Sequence, residues 1–295
     1  MDVVVAGSSG LIGTALVARL RTEGHTVRRL VRRAPRDPGE HRWDPAAGVL
    51  DPAALAGADA VVNLAGAGVG DKRLTPAYRR VVLDSRTSTT GLIARTVAGM
   101  AEPPRVLLQG SATGAYGYRG TTPVTEEEPY GTSYLAEVVR AWEGAAAPAV
   151  ADPRVRVAFL RTGIVLAPSG GALGRLLPLV RLGLGGPLGG GRQLWSWISL
   201  EDEVRAILHL LDAPVEGPVN LTAEPATELE LIRELAARVH RPAVLPVPGW
   251  ALRLALGTFS EEILGSLRAV PAALTASGFV HRHPTAEAVA RYVVP

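Results

Sequence analysis

The chain opens with Asp2-Val-Val-Val-Ala6-Gly7-Ser-Ser-Gly10-Leu-Ile-Gly13, and the reading of these residues decides the fold. Residues 2–6 form a short apolar run of β-branched character, a buried strand. Three glycines spaced by two residues follow. Thr14 to Glu23 then carries Leu16, Val17 and Leu20 at helical spacing, before Gly24 ends the helix and residues 25–31 return to strand character. Strand, glycine turn, helix and strand within about thirty residues make one parallel βαβ unit. In that context each glycine has a reason. Gly7 permits a tight turn off the strand, Gly10 lets the backbone come close to a pyrophosphate, and Gly13 lets the helix lie against the sheet. The N–H groups of Ser9, Gly10, Leu11, Ile12 and Gly13 and the positive helix end then face phosphates. The competing reading, a glycine turn of no consequence, leaves the complete βαβ context unexplained.

The alternation continues outward from this loop. Strand patterns cover residues 58–64, 105–110 and 155–160, and helical patterns cover 76–100 and 133–146. This order predicts an α/β protein with a doubly wound parallel Rossmann sheet. After Arg161 the texture changes: residues 163–193 are rich in Gly and Pro with few strand signals, and residues 241–295 hold short helical patches between prolines. The expected division is a dinucleotide-binding domain over 1–165, with 194–222 returning to it. A smaller substrate lobe and C-terminal extra domain take 166–193 and 223–295.

The end of the second strand selects the cofactor. An NAD site usually places Asp or Glu there to bind ribose hydroxyls. This chain has Val31-Arg32-Arg33, and a guanidinium pairs bidentately with a 2′-phosphate. NADP(H) is therefore expected over NAD(H). Two solvated arginines at a strand end are the alternative.

Bulk properties narrow the remaining classes. The 295 residues are 47% hydrophobic and 20% charged, with net charge +3, which is globular composition. No basic run is interleaved with aromatics, so nucleic-acid binding has no support. There is no cysteine, which removes disulfides and thiolate nucleophiles. No run of eighteen apolar residues predicts a membrane span, and no leader is read at the N-terminus. The expected setting is the cytoplasm.

Further segments carry a family resemblance. They are Gly7–Gly13, Asn63-Leu-Ala-Gly66, Ser85-Arg86, Ser111-Ala-Thr-Gly-Ala-Tyr-Gly117, Trp142-Glu143 and Leu160-Arg-Thr-Gly-Ile-Val-Leu166. Gly185-Gly-Pro-Leu-Gly-Gly-Gly-Arg-Gln193, Trp197-Ile198, Asp202 and Arg241-Pro-Ala with Pro246-Val-Pro248 follow. With these the chain resembles the extended and atypical short-chain dehydrogenase/reductase superfamily. Within it, the chain is similar to the SDR39U-like, epimerase-like family that ends in a C-terminal domain of unknown function. The resemblance implies that Leu64, Ala65 and Gly66 line the adenine-ribose and pyrophosphate path and that Ser85 lies near the cofactor. It implies that Ser111 or Thr113 contacts the reacting oxygen of the substrate, and that Arg161, Thr162 and Gly163 lie near the nicotinamide. Tyr116 is expected to pack beside the nicotinamide, with Tyr130 a spare candidate. A homodimer through the long helices is implied by the same analogy.

Two departures qualify that pattern. Superfamily chemistry uses a Tyr as general acid/base and a Lys four residues on, because an unassisted phenol, with a pKa of about 10, is a poor base at neutral pH. Tyr134 stands at the expected place, but the lysine position is Val138. Either another cation, Arg161 or Lys72, replaces the lysine, or hydride chemistry is slow or absent. In the second departure, Trp195 takes the place of an Arg that holds a diphosphate in sugar-nucleotide relatives, Ser199 takes the place of a His, and Arg192 is displaced by three residues. An indole favours flat apolar groups, so a typical sugar nucleotide is disfavoured.

Other motifs carry less. His281 and His283 alternate without a third ligand, so no metal is expected. Residues 126–128, three glutamates, read as a solvated loop, and Asp202 reads as capping or orienting a helix. Ser8, Ser9 and Ser111 lack a His/Asp partner, so no hydrolase triad is expected. Two functions remain. One is an NADP(H)-dependent oxidoreductase or epimerase with a small hydroxyl- or carbonyl-bearing substrate, using Tyr134 and Ser111 or Thr113. Its cleft would be lined by Trp195, Trp197, Arg192 and the Gly185–Gln193 loop. The other is a non-catalytic NADPH-binding or redox-sensing protein.

Overall fold

The computed structural model describes residues 1–171 and 173–295. Its main sheet has strands β1 (Asp2–Ala6), β2 (Thr26–Val31), β3 (Glu40–Asp44), β4 (Val49–Leu50), β5 (Ala60–Asn63), β6 (Val106–Ala112), β7 (Arg156–Thr162) and β8 (Gly217–Leu221). They lie in the order β8-β7-β6-β5-β1-β2-β3-β4. Every neighbouring pair is parallel except β3 with β4. The helices of eight residues or more are α1 (Leu11–Thr22), α2 (Pro76–Ala98), α3 (Tyr134–Gly144), α4 (Leu173–Arg181), α5 (Leu200–Asp212), α6 (Glu228–Arg238), α7 (Gly249–Leu256) and α8 (Ala286–Val293).

A parallel sheet is buried on both faces, so its strands are apolar throughout. β1 shows this directly: Val3 and Val5 join the core under α1 and α5, while Val4 and Ala6 join the core under α2. The helix starts are set by local caps. Thr75 accepts the Tyr78 N–H with Pro76 at the first helical position, and Ser133 accepts the Ala136 N–H. Strand order reverses between β1 and β5, which opens a crevice at their carboxyl ends, the usual place for a ligand in such sheets.

Within residues 194–222, α5 packs in the α1 face and β8 pairs with β7 over Gly217–Leu221. The Gly- and Pro-rich stretch is more regular than its composition indicates. Ile164–Leu166 pairs in parallel with Trp197–Ser199, and α4 runs through Pro178. Leu173, Leu177 and Val180 still fall on one buried face at helical spacing. A third core joins α4, α6 and α8. The C-terminal segment is fixed to α5 by Asp202, whose carboxylate accepts the backbone N–H of Arg282 and of His283 and a guanidinium N–H of Arg205. Among the described residues no helix is long and apolar enough to cross a membrane.

Candidate functional site

The glycine loop lies at the crevice. Gly7 has φ +78°, and a Cβ there would stand 2.5 Å from the Leu64 carbonyl carbon. A Cβ on Gly13 would stand 2.2 Å from the Gly7 oxygen. Both positions therefore require glycine for the protein's own packing. Gly10 differs: a Cβ would meet only the Gly7 oxygen, at 3.4 Å, an ordinary contact. The open space beside Gly10 is what a close-lying pyrophosphate needs. Gly10 caps α1 with no side-chain bond and no acidic residue stands in the first turn, so the helix end keeps its positive character. Ser9 is exposed, and Leu11 and Ile12 are half-buried beside it.

The two arginines after β2 separate. Arg33 is bonded at two nitrogens to Glu40, which also takes Arg29. The Arg33 bond, opposed by burial, holds the Glu40 carboxyl down to about 2. Arg33 is thus committed to an ion pair, whereas Arg32 is exposed beside it. Two acids lie close to this strand end: Glu40 is neutralised and buried, and Asp37, which is more exposed, is paired with Arg29.

The opposite wall follows β5. The Leu64 N–H donates to the Ala6 carbonyl and the Ala65 N–H to the Asn63 side chain. Gly66 is exposed. Ser85 on α2 holds this turn: its hydroxyl accepts the Ala67 N–H and donates to the Val82 carbonyl. Arg86 lies beneath the turn, donating from Nη1 to the Ala67 and Val82 carbonyls and stacking on the Trp142 ring, 4.8 Å from its centroid.

The floor of the crevice is a buried polar network. Glu143 on α3 accepts two hydrogen bonds from Arg161, both at 2.9 Å, one from Ser111 and one from Tyr130. Arg161 also donates to the Tyr116 hydroxyl at 2.9 Å, and that hydroxyl donates to Asn220 at 2.7 Å. Burial lowers the Arg161 guanidinium, but the Glu143 bonds outweigh it and hold it above its ordinary value. Burial and the neighbouring carboxylate push the Tyr130 phenol up to about 12, so it remains a donor. The sequence reading places Ser111, Arg161 and Tyr116 against ligands. In the structure all three are buried and spend their polar atoms on one another, and Arg161 is no spare cation. Gly163 follows directly and is crowded by Ser196, where a Cβ would meet the carbonyl at 2.5 Å.

Tyr134 starts α3 and donates its hydroxyl to the Arg79 carbonyl at 2.9 Å, with the Arg79 guanidinium 4.5 Å from its ring centroid. Burial raises its phenol, and Arg79 and Arg86 pull it back. Val138 packs with Val82 in the same small cluster. Lys72 lies over Tyr78, not Tyr134.

Below the crevice a cavity is walled by Thr113, Gly114, Gly117 and Ser133 on one side and by Ile164, Trp195 and Ser196 on another. Tyr118 and Glu262 close it, with the Tyr118 hydroxyl donating to Glu262 at 2.6 Å. Burial raises the Glu262 carboxyl. Of the predicted substrate residues, Trp195 lies at this cavity. Trp197 does not: it is fully buried in the third core, which Trp195 shares, and its short strand pairs with Ile164–Leu166. Arg192 lies in a separate surface hollow with Thr227, Glu230, Arg233 and Glu234. The Gly185–Gln193 loop packs instead on residues 245–247, through Gly189 N–H to the Val247 carbonyl. Glu126 is no merely solvated acid, since it accepts the backbone N–H of Asn220 and of Ala273.

Glu143, Tyr118 and Glu262 escape the sequence reading. Glu143 stands in a quoted motif, and a glutamate on the buried face of α3 is its only signal. Tyr118 and Glu262 are 144 positions apart, and no local pattern joins them.

Comparison with known proteins agrees with this architecture. Residues 3–222 match the model of the NAD dependent epimerase/dehydratase family, and residues 247–293 match a domain of unknown function. An epimerase family protein of Mycobacterium bovis is 45% identical over 288 residues, covering 96% of this chain and 94% of its own. The crystal structure of human epimerase family protein SDR39U1, isoform 2, with NADPH superposes with TM-score 0.91 at 31% identity, covering 99% of each chain. MoeE5 in complex with UDP-glucose and NAD, at 21% identity and TM-score 0.77, shares the fold. The chain therefore belongs to the NAD-dependent epimerase/dehydratase family, in its SDR39U-like branch with a C-terminal domain of unknown function.

Proposed function

We propose that the protein is an NADP(H)-dependent oxidoreductase or epimerase acting on a small hydroxyl- or carbonyl-bearing substrate. The observation that carries the cofactor choice is the end of β2, where Arg32 is exposed while the nearby acids are already paired, Glu40 with Arg33 and Arg29 and Asp37 with Arg29. A bound 2′-phosphate gains a charge-assisted partner there, and a free 2′-hydroxyl meets only carboxylates already held by arginines. The space beside Gly10 and the uncapped start of α1 fit the pyrophosphate. The NADPH in the related human structure supports the same reading.

Bound NADP(H) supplies a hydride donor or acceptor at its nicotinamide ring. The chain's own residues do the rest. Ser9 to Gly13 hold phosphates through backbone N–H groups, Arg32 holds the 2′-phosphate, and Leu64, Ala65, Gly66 and Ser85 shape the opposite wall. Thr113, a wall residue of the cavity, takes the role left open between it and Ser111 and polarises the substrate oxygen. Tyr134 delivers the proton after exchanging its bond to the Arg79 carbonyl, since such bonds re-form when substrate binds. Trp195 presents an indole to the substrate, which favours a compact apolar or flat group over a diphosphate.

A second reading, a non-catalytic NADPH-binding protein, is favoured by one observation: the Tyr134 hydroxyl is tied to a main-chain carbonyl and no lysine follows at 138. Titration of NADPH and NADH by nicotinamide fluorescence tests the cofactor choice. NADPH is expected to bind about tenfold or more tighter, and Arg32→Ala to erase the difference. Equal affinities in the parent protein overturn it. NADPH oxidation with a panel of aldehydes and ketones separates the two readings, and turnover that survives Tyr134→Phe removes Tyr134 from its role.

A further inference from the structure

Arg86 is a cation with no anion. Its guanidinium is largely enclosed between α2, α3 and the turn after β5. Its bonds are to two backbone carbonyls, Ala67 and Val82, and its flat face lies on Trp142. Among the described residues no carboxylate pairs with it, and burial lowers its proton affinity with only the phenols of Tyr134 and Tyr78 opposing. Enclosing a charge without a counter-charge is costly. The other strongly buried guanidinium near the crevice, Arg161, has Glu143. Arg86 also lies directly under exposed backbone: a Cβ on Gly66 would stand 3.3 Å from its Cγ and 3.5 Å from its Cζ. Gly66 belongs to the crevice wall at the carboxyl end of β5, beside the point where strand order reverses.

The placement relative to α3 adds a second line. Tyr134, Val138 and Trp142 fall at successive turns of α3. Val82 meets Val138, and Arg86, one turn along α2, meets Trp142. The charge missing at 138 is therefore present about one turn away, carried on the facing helix.

We propose that Arg86 is a cofactor-binding residue that holds the phosphate and ribose of the nicotinamide half of the dinucleotide. This inference rests on the dinucleotide reading of the crevice and assigns the charge there to α2. Arg32 and Arg86 then divide the ligand: Arg32 takes the 2′-phosphate of the adenosine half, and Arg86 the other half.

The test uses the full chain and measures affinity. NADPH and adenosine 2′,5′-bisphosphate are titrated into the parent protein, Arg86→Gln, Arg86→Lys and Arg32→Ala, with melting temperatures as a check on folding. Glutamine keeps an amide donor on a shorter side chain and removes the charge, and the melting temperature reports the packing lost on Trp142. Arg86→Gln is expected to weaken NADPH by about tenfold or more, the scale of one charge-assisted bond, and to leave the bisphosphate within about twofold. Arg86→Lys is expected to recover part of the loss, and Arg32→Ala to weaken the bisphosphate. If Arg86→Gln binds NADPH like the parent, Arg86 is only a prop for the turn and the assignment is overturned, with the dinucleotide reading intact. If the parent itself binds no NADPH, the dinucleotide reading falls first. Should the glutamine variant not fold, reduced nicotinamide mononucleotide is compared with reduced nicotinamide riboside on the parent and on Arg86→Lys. A phosphate gain that shrinks in Arg86→Lys supports the proposal, and one of the same size in both proteins, as the glycine loop alone would give, refutes it.

Discussion

Replacing Arg161 by Met tests the buried network under the crevice. The substitution removes two hydrogen bonds to Glu143 and one to the Tyr116 hydroxyl. It leaves Glu143 buried with only Ser111 and Tyr130 as donors. Methionine fills much of the volume, so the cavity contribution is small and the uncompensated carboxylate dominates. Breaking a buried ion pair from one side costs about 3–5 kcal/mol. With about 2 cal/mol/K of unfolding entropy per residue, that corresponds to a fall of about 5–8 °C in Tm for a chain of this length. Calorimetry at pH 7 measures it. The companion is Glu143→Leu alone and in combination. Because removing the carboxylate also removes the reason for the cation, the double variant is expected to be more stable than the sum of single losses indicates, with a coupling of about 2 kcal/mol or more. The remaining deficit is the three hydroxyls of Ser111, Tyr130 and Tyr116 left short of partners. A single variant that melts within about 1 °C of the parent, or two losses that simply add, would refute the view that these groups act as one network.

Three further outcomes follow from particular contacts. Glu203 is buried with only the Thr162 hydroxyl for a partner, and burial pushes its carboxyl up to about 8. Its folded pKa lies above the unfolded value, so its contribution is fully present below about pH 4.5 and is lost as pH rises toward 8, at up to about 1.4 kcal/mol per unit. Glu203→Gln should flatten the fall in Tm between pH 5 and 8, and an unchanged slope would contradict the assignment. Glu228, raised by burial to about 7, adds a smaller loss over the lower part of that window. Gly13→Ala drives a methyl onto the Gly7 oxygen; displacement of the loop should weaken NADPH by about tenfold or more, read by fluorescence titration. Trp195→Ala opens the cavity wall and removes an indole bond to the Ile263 carbonyl, so about 3 kcal/mol of stability should go, read by urea unfolding.

The sheet was legible because its signals are local. The run Val3-Val4-Val5 and the three glycines specify strand, turn and helix within one βαβ unit, and α2 starts at Pro76 where its cap and proline indicate. The sites were less legible, because what a polar side chain does depends on which partner arrives first. Arg32 and Arg33 are adjacent and identical in kind, yet Glu40 arrives beside one of them. Ser111 and Arg161 lie at motif positions that point to ligands, and Glu143 claims both. Trp195 and Trp197 belong to two different short strands and both enter the third core, but only Trp195 also reaches the cavity. The strand of Trp197 pairs with Ile164–Leu166 and that of Trp195 with Ala226–Thr227, partners that no local pattern in Gly- and Pro-rich sequence discloses.

The cavity draws its walls from residues 113–133, 164–196 and 262–267, whereas the crevice wall above it comes from residues 7–13 and 64–67 together with α2. Genetic change after residue 163 can therefore reshape what the cavity admits without touching the glycine loop or Arg32. Exchange of that segment between relatives is a direct route to a differently shaped cavity beside an unchanged glycine loop.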